Sequence, residues 1–496
     1  MTKLTSWQLK SLALLAGPIV ALLIYLINPF SVGPMALKVL AVGGLMITWW
    51  VTEALPMAVV ALLPLIFFPL LKINSLENTA APYANPVIFL FMGGFMLGLA
   101  IEKWNLHRRI ALSIVRMTGT SGNRIVLGFI LATGLLSMWL SNTATTMMMF
   151  PIALSVIHVM KENHKGEGNI AYFSLALMLA IAYAANIGGI ATIIGTPPNV
   201  AYVNYIDKKY HYTAGFMNWM AICTPLSVLL LFSLYWVMVK WLFPNRIKSD
   251  IATRELIRTE LNKLGPLSQA ESRVLIIFSA TAFLWIFREL INKVQTAIKL
   301  DDTIIAVMCA VALFICPSGK KLKPDTGPDV EEEGSNVSAI LQWKDTSKMA
   351  WGILLLFGGG ISLANALEKA GLIGQLGQWL AQFAGNGFML VFIVTLVSLF
   401  ISEIMSNVAQ VIVFAPVVSS LAEALHMNPL LLGIPMTLAA SCAGMLPMGT
   451  PPNAIVFASG HIKLPQMAKA GFVMNIVAVI LITLFSWFLL PLLMPR

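Results

Sequence analysis

Two short polar stretches, Ser141-Asn142-Thr143 and Ser406-Asn407-Val408, stand in the middle of long apolar runs. Their hydroxyl and amide oxygens can ligate a hard cation such as sodium, while their N–H and O–H groups can donate to a carboxylate. Each is followed by a second motif, Gly195-Thr196-Pro197-Pro198-Asn199 in one case and Gly449-Thr450-Pro451-Pro452-Asn453 in the other. Two adjacent prolines remove backbone donors and clash with the preceding turn, so each stretch must interrupt its helix. The carbonyls and amides freed in this way lie among apolar residues, where irregular backbone is tolerated only against protein or a polar cavity. A helix cap also explains Ser-Asn-Thr, and it is compatible with binding, because a cap at a buried tip presents its amides to an anion.

The elements that carry these motifs belong in a bilayer. Of 496 residues, 58% are hydrophobic and only 11% are charged, far from the composition of an ordinary globular protein. Apolar runs at about 11–30, 36–53, 56–72, 86–103, 171–206, 215–243, 272–292, 300–316, 349–369, 428–459 and 467–494 predict about 11 transmembrane helices. The stretches 123–160 and 387–425, each interrupted by a polar motif, are read as two spans or as one re-entrant hairpin apiece. The N-terminal run from Ser11 to Leu26 reads as a first helix, not a removable signal. A net charge of +10 could suggest nucleic acid, but the basic residues lie between apolar runs, which points to membrane orientation and to no nucleic-acid partner. With the N-terminus cytoplasmic, Arg108 and Arg109, Lys161 and Lys165, Arg246 to Lys263 and Lys320 to Lys348 all fall inside, and the C-terminus falls outside. The acidic run Glu331 to Glu333 shares its loop with Lys320, Lys321 and Lys323 and reads as a solvated linker.

The halves repeat. Phe91-Met92-Gly93-Gly94 leads to Glu102-Lys103 at the spacing by which Phe357-Gly358-Gly359-Gly360 leads to Glu368-Lys369. The Ser-Asn motifs precede Pro151 and Pro416 at equal distance, and the Gly-Thr-Pro-Pro-Asn motifs follow in the same order. Five crossings separate each landmark from its counterpart, so the second half is expected upside down relative to the first, the architecture of secondary transporters. The expected organisation is an N-terminal helix in 1–35, a first inverted repeat in 36–245 with its hairpin at about 123–160 and broken helix at about 171–206, and a cytoplasmic linker in 246–271. A second repeat occupies 272–496, with its hairpin at about 387–425 and broken helix at about 428–459.

Neither motif contains Lys, Arg or His, yet an anion entering a poorly hydrated site needs its charge balanced. Bound sodium would do this, and so would a fixed basic side chain; Lys103, His107, Arg288 and Lys369 are the spare cations near spans. Glu403, just before the second Ser-Asn motif, reads as support or coupling for that hairpin, and Glu53 reads equally as a turn. Trp49 and Trp50 are expected as interface anchors, and Cys223, Cys309, Cys316 and Cys442 as packing residues. No motif pairs a nucleophile with a base and no His-Glu cluster has metal spacing, so an enzyme is not expected.

Trp49-Trp50-Val51-Thr52-Glu53-Ala54-Leu55-Pro56, the Ser-Asn tips and both Thr-Pro-Pro-Asn breaks together resemble the divalent anion/sodium symporter (DASS) family over nearly the whole chain. The resemblance implies an all-α membrane protein of elevator type, a homodimer in the plasma membrane with scaffold and transport domains, carrying succinate, malate, 2-oxoglutarate or citrate. It implies one sodium site from Ser137, Ser141, Asn142 and the backbone at Gly195, and a second from Ser402, the backbone at Met405, Asn407 and the backbone at Gly449. Substrate carboxylates would meet Asn142, Thr143, Asn407 and Val408 and the Thr196-Pro197 and Thr450-Pro451 breaks, with sodium as coupling ion and no other cofactor. Val408 departs from the fullest form of the motif, which has a second Thr, and removes one hydroxyl donor. The family includes sodium-independent exchangers, so exchange of dicarboxylate for dicarboxylate or tricarboxylate is the alternative to symport.

Overall fold

The computed structural model describes residues 6–163, 169–212, 214–248, 251–295, 298–321, 337–382 and 385–493. Lys165, Lys323 and Glu331 to Glu333 lie outside the described residues. The chain is an all-α membrane protein: among the described residues ten helices are long and apolar enough to cross a bilayer, and five shorter apolar helices accompany them.

Helix α1 (Ser6–Ile27) lies along α2 (Pro34–Thr52) and leaves Leu12, Leu15, Ile19 and Leu22 exposed, an apolar face suited to lipid. The single run expected at 56–72 is two helices, α3 (Met57–Val60) and α4 (Leu63–Leu70), because Pro64 has no N–H to offer the carbonyl of Val60. Trp49 and Trp50 are corrected from anchors to packing pins. The indole N–H of Trp49 donates to Leu14 O (3.1 Å), and that of Trp50, which is fully buried, donates to Met57 O (3.3 Å). After α5 (Leu76–Ala80), Asn85 and Pro86 start α6 (Pro86–Lys103), the Asn85 side chain accepting from Val87 N. The amphipathic α7 (Leu106–Thr118) follows.

The first hairpin is α8 (Gly122–Ser137) and α9 (Asn142–Asn163), joined by the tip 138–141. Next come α10 (Ile170–Gly189), a non-helical break, and α11 (Pro197–Tyr210). α12 (Phe216–Trp236), the polar linker helix α13 (Ile251–Lys263), α14 (Gln269–Val294) with its Ser268/Glu271 capping box, and α15 (Asp302–Ile315) lead to the second half. Between α15 and α16 (Trp351–Lys369) two strands, β1 (Pro317–Lys321) and β2 (Val337–Ala339), pair antiparallel, a feature with no sign in the sequence. α17 (Leu372–Ala381) precedes the second hairpin, α18 (Gly387–Ile401) and α19 (Asn407–Ala424), with its tip at 402–406. Then α20 (Pro429–Ala440), a break, α21 (Pro451–Phe457), α22 (Leu464–Phe488) and the short α23 (Leu490–Leu493) complete the chain's described α-helices.

The two hairpin-and-break units interlock. α10 packs on α8 and α9 of its own half and also on α21 of the other, while α11 packs on α19 and α20. The α10–α8 crossing is close because both sides are small, since a Cβ on Gly188 would lie 2.3 Å from Gly134 O, and α22 approaches the second break in the same way, where a Cβ on Gly471 would lie 2.3 Å from Gly444 O.

Candidate functional site

In the first half, Ser137 closes α8 and Asn142 opens α9 across the tip. The Ser137 hydroxyl lies 2.7 Å from Asn142 Oδ1 and 2.8 Å from Ala185 O, tying the tip to α10. Ser141 Oγ accepts from Ala144 N at 3.2 Å, a cap on α9, and Thr143 is half-buried in the same turn. Thr192 clasps the break to the tip: its hydroxyl donates to Met138 O (2.5 Å) and accepts from Gly195 N (3.0 Å). Asn199 closes the break from the other side, its amide nitrogen reaching Gly189 O, Ile190 O and Thr192 O at 3.3, 3.3 and 2.8 Å. Glycine lets these groups come close. A Cβ on Gly189 would sit 2.3 Å from Asn142 Oδ1, and one on Gly195 would sit 2.5 Å from Gly189 O and 3.0 Å from Ser137 O. Asn142 Oδ1 thus lies against Gly189, and Gly189 O and Ser137 O lie against Gly195, oxygen donors of the hard kind gathered around two glycines.

The second half repeats the plan. The Ser402 hydroxyl donates to Ala440 O at 2.5 Å, as Ser137 does to Ala185. Thr196 and Thr450 start α11 and α21 with nearly the same backbone, φ −144° and ψ 140° against φ −145° and ψ 151°. Asn453 repeats Asn199, donating to Ala443 O and Leu446 O at 3.1 Å each. Asn186 Nδ2 donates to Thr450 Oγ1 at 3.0 Å, so the first half's α10 holds the second half's break. Differences are as informative. Val408 is buried at 7% exposure where its counterpart Thr143 is half-buried, so its methyls pack inward. Pro197 is half-buried and Pro451 exposed; Met405 and Asn407 are half-buried and Gly449 is buried. At the first tip, Trp139 packs on Phe216 and Phe278 and Ile194 is buried, whereas at the second Ile404 and Met448 are 69% and 70% exposed.

A family model described as the sodium:sulfate symporter transmembrane region matches residues 7–494. The chain belongs to that family. It is 40% identical over 485 residues to the sodium-dependent dicarboxylate transporter SdcS of Staphylococcus saprophyticus, covering 96% of this chain and 91% of the relative. It is 37% identical over 487 residues to SdcS of Staphylococcus aureus USA300, covering 97% and 91%. Its fold is similar to the crystal structure of the YdaH transporter of Alcanivorax borkumensis, with a TM-score of 0.54 at 14% identity over 87% of this chain and 90% of that one. These relatives are transporters, so the chain is grouped with carriers and not with enzymes.

In this sodium:sulfate symporter family member three of the four cations singled out in the sequence are engaged elsewhere. Lys103 pairs with Asp345 at 2.6 Å, and Arg288 pairs with Asp302 at 2.8 Å while Phe216 N donates to the same carboxylate. His107 is buried, its ring nitrogen 2.9 Å from Ile101 O, and burial holds its imidazole below the ordinary value, which favours the neutral form. Lys369 is exposed at the end of α16. One cation that sequence reasoning passed over does approach the first tip: Lys348 and Glu102 line a recess of about 120 Å³ with Ser141, Ala144, Gly94 and Gly98. Thr192, Asn186 and the two motif asparagines Asn199 and Asn453 were also passed over as site residues. Only the asparagines left a signal, their recurrence at the end of both Gly-Thr-Pro-Pro-Asn motifs.

Proposed function

We propose that the chain imports small dicarboxylate anions together with sodium. The observation that carries this reading is the set of oxygens around two adjoining glycines, Asn142 Oδ1 against Gly189 and Gly189 O with Ser137 O against Gly195, whose ligand chemistry suits a hard monovalent cation. In this reading the first sodium is held by Ser137, Ser141, Asn142 and the backbone at Gly195, and the second by Ser402, Met405, Asn407 and Gly449. The anion lies between the tips, against Asn142, Thr143, Asn407 and Val408 and the starts of α11 and α21 at Thr196-Pro197 and Thr450-Pro451. Bound sodium offsets its charge, since Lys103, Arg288 and His107 are occupied or neutral. The sodium-dependent dicarboxylate transporters to which the chain is similar support the same cargo.

The unequal exposure of the two tips supports alternating access, with one tip packed while the other faces an opening. The interlocked units, hairpins included, form the moving part and travel as an elevator against a scaffold that contains α6 and α16. The protein works as a homodimer in the plasma membrane, N-terminus inside and C-terminus outside. The test is uptake of labelled succinate, malate, 2-oxoglutarate and citrate into proteoliposomes, with and without an inward sodium gradient and internal dicarboxylate. Uptake that needs the gradient and no internal anion is expected; uptake that ignores sodium and requires internal anion would establish exchange instead.

A further inference from the structure

The two breaks are clasped to their tips by different chemistry. At the first, the Thr192 hydroxyl bridges Met138 O and Gly195 N, a neutral link. At the second, Glu403 stands where the first repeat has Met138, and its carboxylate does the clasping. Glu403 Oε1 accepts from Gly444 N (2.8 Å), Met445 N (2.8 Å) and Asn475 Nδ2 (2.7 Å), and Oε2 accepts from Leu446 N (3.0 Å). The side chain is 4% exposed, and all four of these contacts are neutral donors. Four donors with no acceptor among them fit a carboxylate that carries its charge. A Cβ on Gly449 would lie 3.0 Å from Oε2, so glycine there leaves the carboxylate undisturbed.

Glu403 follows Ser402 directly, and Gly449 ends the loop that it holds; both belong to the second sodium site proposed above. We infer that Glu403 is a positioning residue that shapes the second break through Gly444, Met445 and Leu446 while supplying a fixed negative charge, which makes the second cation site stronger than the first. A buried anion held only by dipoles is costly unless a cation comes near it, because low dielectric preserves Coulomb attraction over several ångströms. The second sodium is that cation. The first site, with Met138 in the equivalent place, has no such charge. Sodium therefore binds the second site first, and the charge that anchors it is built into the tip itself.

The inference rests on the sodium-coupled reading, and the experiment separates the two. Purified full-length protein in detergent is titrated with sodium, choline replacing it, and unfolding temperature is followed; the same proteins in proteoliposomes give the sodium dependence of succinate uptake. Glu403→Gln keeps the shape and an acceptor oxygen but removes the charge. Its sodium half-point is expected to rise on the order of tenfold in both assays, with succinate half-saturation at saturating sodium changed less than about threefold. Asn475→Ala removes one clasp donor and leaves the charge, so it lowers the unfolding temperature and keeps the sodium half-point within about twofold. A folded Glu403→Gln protein with the wild-type half-point overturns the inference. So does an Asn475→Ala protein that loses sodium affinity tenfold, because position and not charge would then be in control, and this arm stands even if Glu403→Gln fails to fold. Wild-type protein with no sodium response in either assay refutes the symport reading itself.

Discussion

Gly189→Ala tests the proposed first sodium site with little cost to the fold. Gly189 is the last residue of α10 and has ordinary helical backbone, so the backbone term alone favours alanine by roughly 0.5–1 kcal/mol. The added methyl would stand 2.3 Å from Asn142 Oδ1 and 3.1 Å from its Cγ and Nδ2. Ordinary contact begins at 3.4 Å, so the Asn142 side chain must retreat by the difference from 2.3 Å, about 1.1 Å. A shift of that size along the bond carries Oδ1 beyond hydrogen-bonding reach of Ser137 Oγ, now at 2.7 Å. The lost bond is worth about 0.5–1.5 kcal/mol and the crowding about 1–3 kcal/mol, which together outweigh the helical gain by about 0.5–4 kcal/mol. In the proposed sodium-loaded state the same displacement would take a ligand from the ion, so a loss of similar size is expected in sodium binding. Sodium half-saturation of succinate uptake should rise between roughly two- and about a thousandfold, while the sodium-free unfolding temperature changes by no more than a few degrees. Gly188→Ala is the contrast: there the methyl meets Gly134 backbone at 2.3 Å, nothing flexible can yield, and the protein should lose its monodisperse peak on size exclusion. Wild-type sodium dependence in a folded Gly189→Ala protein would show that Asn142 does not face the cation.

Asn142→Ala and Asn407→Ala should each abolish proteoliposome uptake while leaving the size-exclusion profile intact; normal transport by both would move the site elsewhere. Asn186→Ala removes the link to Thr450 across the two halves and should cost about 0.6–2 kcal/mol, read as a lower unfolding temperature with reduced maximal uptake. Lys209 of α11 and Glu368 of α16 form an ion pair across the proposed moving boundary. Lys209→Glu should change the maximal rate without changing sodium half-saturation, and adding Glu368→Lys should restore the rate; no recovery in the double variant would deny the pair a part in the movement.

The repeat was legible because it is written in residues that backbone physics obliges to behave alike. Two prolines after Thr196 and after Thr450 end one helix and begin another whatever surrounds them, and the two threonines adopt nearly the same φ and ψ. The tips were legible for a related reason, since Ser-Asn inside an apolar run must find partners. What could not be read was the identity of those partners. Asn186 meets Thr450 across 264 residues, and nothing local to either announces the other. Glu403 binds backbone N–H groups, which carry no sequence signature. The spare cations failed for the opposite reason: Lys103 and Arg288 found carboxylates in Asp345 and Asp302, contacts that only the fold supplies.

The exchange of broken helices between the halves bears on how the chain is made. α10 is enclosed on one side by α21, which is synthesised about 260 residues later. Until then the Asn186 amide and the Tyr183 hydroxyl, which later meets Gly444 O at 2.7 Å, have no protein partner from the second half and would face lipid. The first half is therefore an unfinished surface when it leaves the ribosome. Its polar face must wait against other partners until the second break arrives, and a chain truncated before residue 444 would leave both side chains without the groups that hold them in the finished fold.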